Sequence, residues 1–461
     1  MTRRNFLARA GAGVLGASAL VGAAPKAKPN FVFILVDDLG WADLGCYGST
    51  YHESPNIDRL ATQGLRFTDA YAACPVCSPT RASILTGKYT ATVNLTDFIP
   101  GHWRPYAKLV VPKFNQNLPA DEVTLPEALK AAGYTSACVG KWHLGGKGSQ
   151  PADHGFDVVV PGAASRTDKQ TSGLTDAGLK FIESHKDKPF FLYLSYHTVH
   201  IPLEARKELV EKYRAKLTPG QAPPQQCNPA YAAMIEALDE NVGRVMAKLD
   251  ELKLADNTVL IFFSDNGGLI KMYTGQGGVV TSNAPLRSEK GSLYEGGIRV
   301  PLVIRWPGIV PPRTLCNVPV SSVDFYPTML ELAGVRPDPK HAVDGASLVP
   351  LFEPVGTLKR DALYWHYPHY HHTAPCGAIR AGDWKLIEFF EDGALELYNL
   401  KRDIGEARNL AAAMPERAAE LRKRLDDWRK AVNAQMPTPN PDHDPKRAGE
   451  WGRRASPAPK K

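Results

Sequence analysis

The chain carries the apolar run Phe31-Val32-Phe33-Ile34-Leu35-Val36, which ends directly in the acidic pair Asp37-Asp38. A continuous apolar run of this length predicts a central parallel strand that is buried on both faces. Two adjacent carboxylates at the carboxyl end of such a strand repel each other unless a cation lies beside them. Because open α/β sheets place their ligands at this edge, the stretch predicts an α/β fold with a cation site there. The acidic pair taken alone is also compatible with a solvated turn.

A second stretch repeats the pattern of an apolar strand followed by oxygen-bearing side chains. The run Thr258-Val259-Leu260-Ile261-Phe262-Phe263 leads into Ser264-Asp265-Asn266-Gly267-Gly268. Together with the first pair, Asp265 and Asn266 offer a set of hard oxygen ligands. Such ligands suit calcium or magnesium better than zinc.

The segment Cys77-Ser78-Pro79-Thr80-Arg81 lies at a predicted helix start, where Cys77 and Arg81 are one helical turn apart. Both side chains can then face an anion at the positive end of the helix dipole. A thiolate phosphatase would need a longer loop between the two residues. A redox or zinc pair with Cys74 lacks the rest of either pattern, and a buried or disulfide-bonded cysteine remains the plain structural alternative.

Three further loops combine cationic side chains with strand ends or glycines. One is Gly140-Lys141-Trp142-His143-Leu144-Gly145, which follows the short strand-like run 135–139. Another is Tyr196-His197-Thr198-Val199-His200-Ile201-Pro202, which follows the apolar run 189–195. The third is the glycine-rich loop around Lys290, residues 289–301. Each loop by itself is compatible with a solvated or connecting segment.

Taken together, these motifs resemble those of the type I sulfatases, from about residue 30 to about residue 432. The resemblance implies a fold like that of alkaline phosphatase and the oxidation of Cys77 to formylglycine. It also implies that a maturation enzyme carries out this oxidation. A calcium ion is then expected on the formylglycine and on four further residues, which are Asp37, Asp38, Asp265 and Asn266.

The resemblance also assigns roles to the cationic residues. A hydroxyl of the hydrated formylglycine attacks sulfur, and the second hydroxyl later expels the sulfate. Lys141 is expected on the sulfate, and Lys290 and His200 on the sulfate and the leaving oxygen, with His197 the weaker histidine candidate. Arg81 and His143 are expected beside the nucleophile. Val199 replaces a proline that is common in the family, which leaves the geometry of this loop open.

The order of predicted elements indicates a large α/β domain followed by a smaller one. Strand-like runs alternate with amphipathic helices over residues 54–63, 124–132, 229–252 and 321–333, the second with a capping box of Thr124 and Glu127. From about residue 360, three short strands predict a small antiparallel sheet, followed by a helix near 416–432. We therefore predict a catalytic domain at 30–355, a C-terminal subdomain at 360–434, and a disordered tail at 435–461, which is rich in proline and charge.

The N-terminus predicts export. Residues 1–24 combine Arg3-Arg4 with a short, weakly apolar stretch and small residues, which indicates a twin-arginine signal and a periplasmic destination. The stretch is too short to span a membrane. Much of the net charge of +7 lies in the signal and in the tail, so the core offers no basic face for nucleic acid. Six cysteines besides Cys77 are compatible with disulfides or with buried thiols.

Two aromatic and basic segments are candidate walls of a substrate site. One is His102-Trp103-Arg104, and the other is the run 364–372, from which we select His366 and His369. Aromatic and histidine side chains suit the faces and hydroxyls of sugars, so a sulfated glycan, with galactose-type sugars in mind, is the expected substrate. Packing of the second run at the edge of the C-terminal sheet, or adventitious metal binding by its histidines, is an equal alternative. Other functions to weigh are a phosphonate monoester or phosphodiester hydrolase and a non-catalytic glycan-binding protein.

Overall fold

The computed structural model describes residues 28–162, 170–217, 225–271, 278–353 and 355–452. The strands in these ranges are, in chain order, β1 Asn30–Val36, β2 Leu65–Phe67, β3 Ala70–Tyr71, β4 Leu109–Val110, β5 Thr135–Gly140, β6 Val158–Pro161, β7 Phe190–Ser195, β8 Thr258–Ser264, β9 Leu302–Arg305, β10 Thr314–Cys316, β11 Val320–Ser321, β12 Leu363–Tyr367, β13 Cys376–Ala381, β14 Trp384–Phe389, β15 Leu395–Asn399 and β16 Thr438–Pro439.

The largest sheet has the spatial order β10-β2-β9-β8-β1-β7-β5-β6. Strand β1 lies at its centre and pairs in parallel with β8 on one side and β7 on the other. The pairing of β9 with β8 and β2 is antiparallel, so the sheet is mostly parallel. The predicted α/β class with a central, mostly parallel sheet is confirmed.

Burial of β1 on both faces explains why its sequence is apolar without alternation. Phe31, Phe33 and Leu35 belong to the hydrophobic core on one face of the sheet, and Val32 and Ile34 belong to the core on the other. Successive side chains of a strand point to opposite faces, so both sets must be apolar. The strand is thereby fixed in the middle of the protein, and its carboxyl end delivers Asp37 to a buried edge.

Helices cover both faces of this sheet. They are α1 Pro55–Thr62, α2 Cys77–Thr86, α3 Thr90–Val93, α4 Leu125–Lys130, α5 Thr171–Ser184, α6 Lys207–Ala215, α7 Pro229–Glu251, α8 Glu295–Ile298, α9 Phe325–Ala333 and α10 Pro415–Ala431. The four helices predicted before residue 355 correspond to α1, α4, α7 and α9. At α4 the capping box is present, because the Thr124 backbone N–H donates to Glu127 Oε2 at 2.8 Å.

The C-terminal region forms a separate antiparallel sheet in the order β12-β13-β14-β15. Helix α10 packs on it through Leu421 and Leu425, which meet Ile379, Leu386 and Leu397. The other face of this sheet contacts the region around α8 through Trp365 and Ile387. The predicted small sheet with a following helix is confirmed.

The expectation of disorder from residue 435 does not hold for residues 435–452, which we call the tail segment. In this segment β16 pairs antiparallel with β4. Asn440 Nδ2 donates to the backbone oxygens of Pro105 and Ala107 at 2.8 and 2.7 Å. Backbone and side-chain hydrogen bonds therefore hold a segment that has few apolar residues, which composition alone cannot reveal. Residues 453–461 lie outside the described residues, as does the predicted signal at 1–24.

All seven cysteines lie in the described residues, and none is in a disulfide. Cys74 and Cys77 are both buried and form no pair with each other. Across the described ranges we find no helix that is both long and apolar enough to cross a membrane.

Candidate active site

The carboxyl ends of β1 and β8 bring four oxygen-bearing side chains together. Val36 is paired with Ser264, so the residues that follow each strand become neighbours. The Asp38 backbone N–H donates to Asp265 Oδ1 at 3.2 Å, and Asn266 Nδ2 donates to Asp38 Oδ1 at 2.8 Å. The structure thus assembles the predicted set of Asp37, Asp38, Asp265 and Asn266 at one buried edge.

The donor chemistry of this edge fits a hard divalent cation. Asp37 Oδ1 and Asn266 Oδ1 are buried and have no hydrogen-bond partner among the described residues. Asp37, Asp265 and Cys77 each place one ligand atom within 4.8 Å of the others. Buried oxygen acceptors without a donor are costly, and a cation bound between them would remove that cost.

Three cationic side chains face the three carboxylates. Lys141 Nζ lies 2.6 Å from Asp37 Oδ2, and Lys290 Nζ lies 2.6 and 2.8 Å from the two oxygens of Asp38. Arg81 Nη2 lies 2.7 Å from Asp265 Oδ2. Burial by itself raises the pKa of Asp37, but Lys141, His200 and Arg81 together hold that pKa well below its usual value. Asp37 is therefore ionised.

Arg81 contacts the Asp265 carboxylate more directly than it contacts the cysteine. Its Nε and Nη2 both donate to Asp265 Oδ2, at 3.0 and 2.7 Å. Its Nη1 donates to the Lys141 carbonyl at 3.0 Å and to Ser195 Oγ at 2.5 Å. These bonds turn its guanidinium toward Asp265, and the place of Arg81 beside the nucleophile stays a prediction.

Cys77 is the first residue of α2, as its motif predicts, and it faces His143. Its Sγ lies 3.2 Å from His143 Nδ1, while His143 Nε2 lies 2.7 Å from the Ile99 carbonyl oxygen. A carbonyl can only accept, so Nε2 carries the proton and Nδ1 accepts from the Cys77 thiol. Burial, followed by the charge of Lys141, lowers the pKa of His143 to about 3. The imidazole is therefore neutral.

The loop after β7 is fixed by β1. The Asp37 N–H donates to the Thr198 carbonyl at 3.0 Å, and the Val199 N–H donates to the Asp37 carbonyl at 2.8 Å. These bonds settle the geometry that the replacement of proline by Val199 left open. His200 Nδ1 donates to the Ile201 carbonyl at 2.5 Å, which leaves Nε2 to face Asp38 Oδ2 at 3.6 Å.

Ser195 and His197 border this site as well. Ser195, the last residue of β7, receives the Arg81 hydrogen bond, and sequence analysis gave it no role. Its only signal is its place at the carboxyl end of a buried strand. His197 is buried, and its ring packs against Gly162. Its Nε2 has no hydrogen-bond partner among the described residues. His200, whose side chain is 32% exposed, is therefore the histidine that a bound substrate can reach.

The first candidate wall of a substrate site lies at the rim of this centre. The His102 ring is 4.7 Å from the His371 ring, and Arg104 Nη2 lies 3.3 Å from the His371 carbonyl oxygen. Trp103 is 41% exposed. His371 in turn packs on Gly291, the neighbour of Lys290, where an added Cβ would lie 1.8 Å from its Nδ1.

The choice of His366 and His369 from the second candidate wall is wrong. Both are buried, at 2% and 1% exposure. His366 Nε2 pairs with the Gln435 carbonyl at 2.9 Å, and His369 Nε2 pairs with Thr96 Oγ1 at 2.8 Å. They pack inside the protein because β12 and the turn after it point them inward. The neighbours His371 and His372, in the same aromatic run, are the ones that lie beside the Lys290 loop.

Comparisons with known proteins show which family this chain resembles. The family model described as Sulfatase matches residues 29–335, and the model described as N-sulphoglucosamine sulphohydrolase, C-terminal, matches residues 288–431. The chain is 34% identical to a protein named Sulfatase from Formosa agariphila, over 87% of this chain and 88% of that protein. It is 31% identical to human arylsulfatase A, over 86% of each chain.

Other similar proteins include two whose names mention a sugar. N-acetylgalactosamine-6-sulfatase of Sus scrofa is 32% identical, over 84% of this chain and 76% of that protein. The crystal structure of Ps i-CgsB in complex with k-i-k-neocarrahexaose is 28% identical and superposes with a TM-score of 0.75, covering 91% of this chain and 96% of that one. Phosphonate monoester hydrolase of Agrobacterium radiobacter shares the fold, with a TM-score of 0.67 at 20% identity.

Proposed function

We propose that this chain, which belongs to the sulfatase family and is a sulfate ester hydrolase, removes sulfate from glycans. In this proposal the enzyme uses a formylglycine at position 77 and a calcium ion. The observation that carries the proposal is the position of Cys77. Its sulfur lies among Asp37, Asp265 and His143, at the point where the metal ligands and the cationic residues meet.

The unmodified cysteine is poorly suited to act as the nucleophile. Burial raises the pKa of the Cys77 thiol, and its partner His143 is a weak base because its own pKa lies at about 3. A reactive cysteine needs a lowered pKa, since the thiolate is the attacking species. The pair therefore does not form a thiolate and imidazolium couple, which supports conversion of the thiol to another group.

The metal would be held by the carboxylates of Asp37, Asp38 and Asp265, by Asn266, and by the modified residue 77. Their all-oxygen character favours calcium over zinc. The hydrated aldehyde of residue 77 would supply the nucleophile, and the bound ion would polarise this group and the sulfate. Arg81 holds Asp265 from behind through two hydrogen bonds, so this ligand keeps its orientation when the ion enters.

Lys141 and Lys290 are placed to bind the sulfate. Both ammonium groups are nearly buried, at 9% and 6% exposure, and lie against Asp37 and Asp38. A calcium ion on these carboxylates would compete for the same oxygens and leave N–H donors for an anion. Charged donors aimed at a developing negative charge are the strongest contribution that such a site can make.

His200 is placed to protonate the leaving oxygen. Its Nδ1 donates to the Ile201 carbonyl, so Nε2 is the atom that exchanges a proton with the pocket. An alkoxide leaving from a sugar is strongly basic, and protonation at this atom would lower its barrier. His143 has a different role. Its Nε2 hydrogen-bonds to the Ile99 carbonyl, so its Nδ1 faces residue 77 and orients it.

The proposed substrate is a sulfated glycan, with galactose-type sugars as the first ones to test. Relatives are named N-acetylgalactosamine-6-sulfatase, and the structure of Ps i-CgsB contains a neocarrahexaose. The rim residues His102 and Arg104 and the newly assigned His371 offer the aromatic and polar surface that sugars require.

Export and maturation belong to the same proposal. The Arg3-Arg4 pair in residues 1–24 would direct the folded protein through the twin-arginine machinery to the periplasm. A formylglycine-generating or anaerobic sulfatase-maturating enzyme would modify Cys77 before that step. We also retain a catalytic domain at 30–355 and a C-terminal subdomain at 360–434 as the proposed organisation.

The proposal is tested on protein that is co-expressed with a maturation enzyme. We expect the intact mass of the Cys77 peptide to change from thiol to aldehyde, and 4-nitrophenyl sulfate to be hydrolysed faster than a 4-nitrophenyl phosphodiester or phosphonate. The variant Cys77→Ala should lose turnover, whereas Cys74→Ala, at a buried cysteine three residues earlier, should retain it. Preference for the phosphorus esters would instead support the phosphonate monoester or phosphodiester hydrolase alternative, and full activity of Cys77→Ala would exclude the mechanism.

A further inference from the structure

The tail segment, residues 435–452, is attached to the loop that carries His102 and Arg104, which we call the rim loop and define as residues 97–111. Besides the β16 and β4 pair, the Gly452 N–H donates to the Trp103 carbonyl at 2.9 Å. The Asp444 N–H donates to the Tyr106 carbonyl at 3.2 Å. The last described residues of the chain are thus fastened along the rim loop.

Trp451 of the tail segment contacts two basic side chains of the rim loop, His102 and Arg104. Its ring is stacked on the His102 ring, with centroids 4.5 Å apart and planes 14° apart. The guanidinium carbon of Arg104 lies 4.1 Å from the Trp451 ring centroid. A cation over an indole ring is held without being neutralised, because the ring carries no charge. Trp451 therefore positions Arg104 and keeps its charge available.

Arg104 forms no ion pair with a carboxylate in the parts of the chain that the structure describes. Its Nη2 donates to the His371 carbonyl at 3.3 Å, and its Nε is buried with no hydrogen-bond partner there. The acidic groups around it are engaged elsewhere. Glu391 accepts from the Tyr370 hydroxyl, and Asp97 Oδ1 accepts from the Tyr367 hydroxyl at 3.0 Å. A half-buried arginine whose nearby acids are engaged by other side chains is able to bind an anion from outside.

This arginine is connected to the reaction centre through few residues. His371, whose carbonyl it binds, packs on Gly291 beside Lys290. His372 Nδ1 hydrogen-bonds to the Lys290 carbonyl, and Lys290 Nζ binds Asp38. Burial is the main cause that lowers the pKa of His371, and the positive charges of Lys290 and Arg104 add to it.

We propose that Arg104 is a subsite residue for a second sulfate on a sugar next to the one that is desulfated. Trp451 is its positioning residue. The inference rests on the proposed function and deepens it, because it makes the substrate a glycan with more than one acidic group per recognised unit. It also gives the tail segment a role in substrate selection.

The test measures binding instead of turnover. Galactose-based disaccharides that bear one sulfate, or the same sulfate plus a second one on the neighbouring sugar, are titrated by calorimetry into a Cys77→Ala background, in which they are not consumed. We expect the second sulfate to tighten binding about tenfold, in line with a charge-assisted hydrogen bond. Adding Arg104→Gln should abolish that gain. The control is Lys113→Gln, which removes an exposed cation just after the rim loop in the sequence and should retain the gain from the second sulfate.

The positioning role of Trp451 is tested in the same assay. Trp451→Ala should reduce the gain from the second sulfate severalfold, and Trp451→Phe should restore most of it. A purely structural role would weaken the two disaccharides equally. A gain that is absent from the parent protein, or unchanged by Arg104→Gln, overturns the inference. Because hydrolysis of 4-nitrophenyl sulfate is assayed separately, failure of the proposed function is recognised independently.

Discussion

Replacing Lys290 by methionine removes the positive charge beside Asp38 while nearly preserving the length and the apolar stem of the lysine side chain. In the structure, Lys290 Nζ lies 2.6 and 2.8 Å from the two Asp38 oxygens, and the two residues are only 6% and 2% exposed. The variant therefore leaves a buried carboxylate with Asn266 Nδ2 and the more distant His200 as its remaining partners.

The cost follows from this burial. Removing one partner of a buried ion pair lowers the free energy of unfolding by about 3–5 kcal/mol. With an unfolding entropy of roughly 2.1 cal/mol/K per residue over roughly 400 residues, the melting temperature should fall by about 4–6 °C. Loss of the proposed charged donor to the sulfate should also lower kcat/KM by about 100-fold or more.

The measurement is thermal unfolding in a chelating buffer, and then with calcium added. Calcium should recover much of the lost stability, because an ion on Asp38 replaces the missing charge. The control is Lys130→Met, since Lys130 Nζ also lies 2.7 Å from a carboxylate, Asp157, but the lysine side chain is 60% exposed. An exposed pair contributes about 0–1 kcal/mol, so this variant should melt within about 1 °C of the parent. Equal shifts for the two lysines would refute the reasoning.

Three further outcomes are expected. Chelation, or Asp37→Ala combined with Asp265→Ala, should abolish turnover of 4-nitrophenyl sulfate, and added calcium should restore only the chelated parent; unchanged turnover in metal-free protein would contradict the metal site. His366→Ala should lower the melting temperature yet reduce kcat/KM equally for an aryl sulfate and a sulfated sugar, because its ring bonds Gln435 inside the protein; a selective loss on the sugar would return it to the substrate site. Burial lowers the pKa of His366 from 6.5 to about 4, so the imidazole binds a proton less tightly in the folded state than in the unfolded chain. The stability that this neutral, buried imidazole contributes is therefore present above pH 6.5 and is lost as the pH falls toward 4. His366→Gln should therefore flatten the decline of melting temperature over that range, and an unchanged slope would argue against the shift.

The aromatic and basic run 364–372 contains a difference that a sequence pattern cannot predict. His366 and His371 are both histidines in this run, and nothing in the local sequence distinguishes their environments. His366 lies within β12, and it is buried by the C-terminal sheet and the tail segment. His371 lies beyond the strand end and meets Gly291. Which histidine faces a substrate depends on where the strand ends and on what packs against it, and neither is a local property.

The tail segment is a second case in which the sequence pattern and the structure differ. Its low apolar content predicts disorder, because such a segment buries little surface. It is nevertheless ordered by hydrogen bonds from Asn440 to the backbone of the rim loop and by the stacking of Trp451 on His102. These partners lie more than 300 residues away in the chain, so no window of the sequence contains both sides of the contact.

The sequence by itself determined the central sheet and the identity of the carboxylate, amide and cationic residues that gather at its carboxyl edge. Apolar strands that end in Asp37-Asp38 and Asp265-Asn266 must bury their length and gather their polar ends at one edge. Only the tertiary structure decided which group each side chain serves. Arg81 turns toward Asp265 and Ser195, and Arg104 is held by an indole from the end of the chain. Long side chains choose among several partners, and that choice depends on contacts between segments that are distant in sequence.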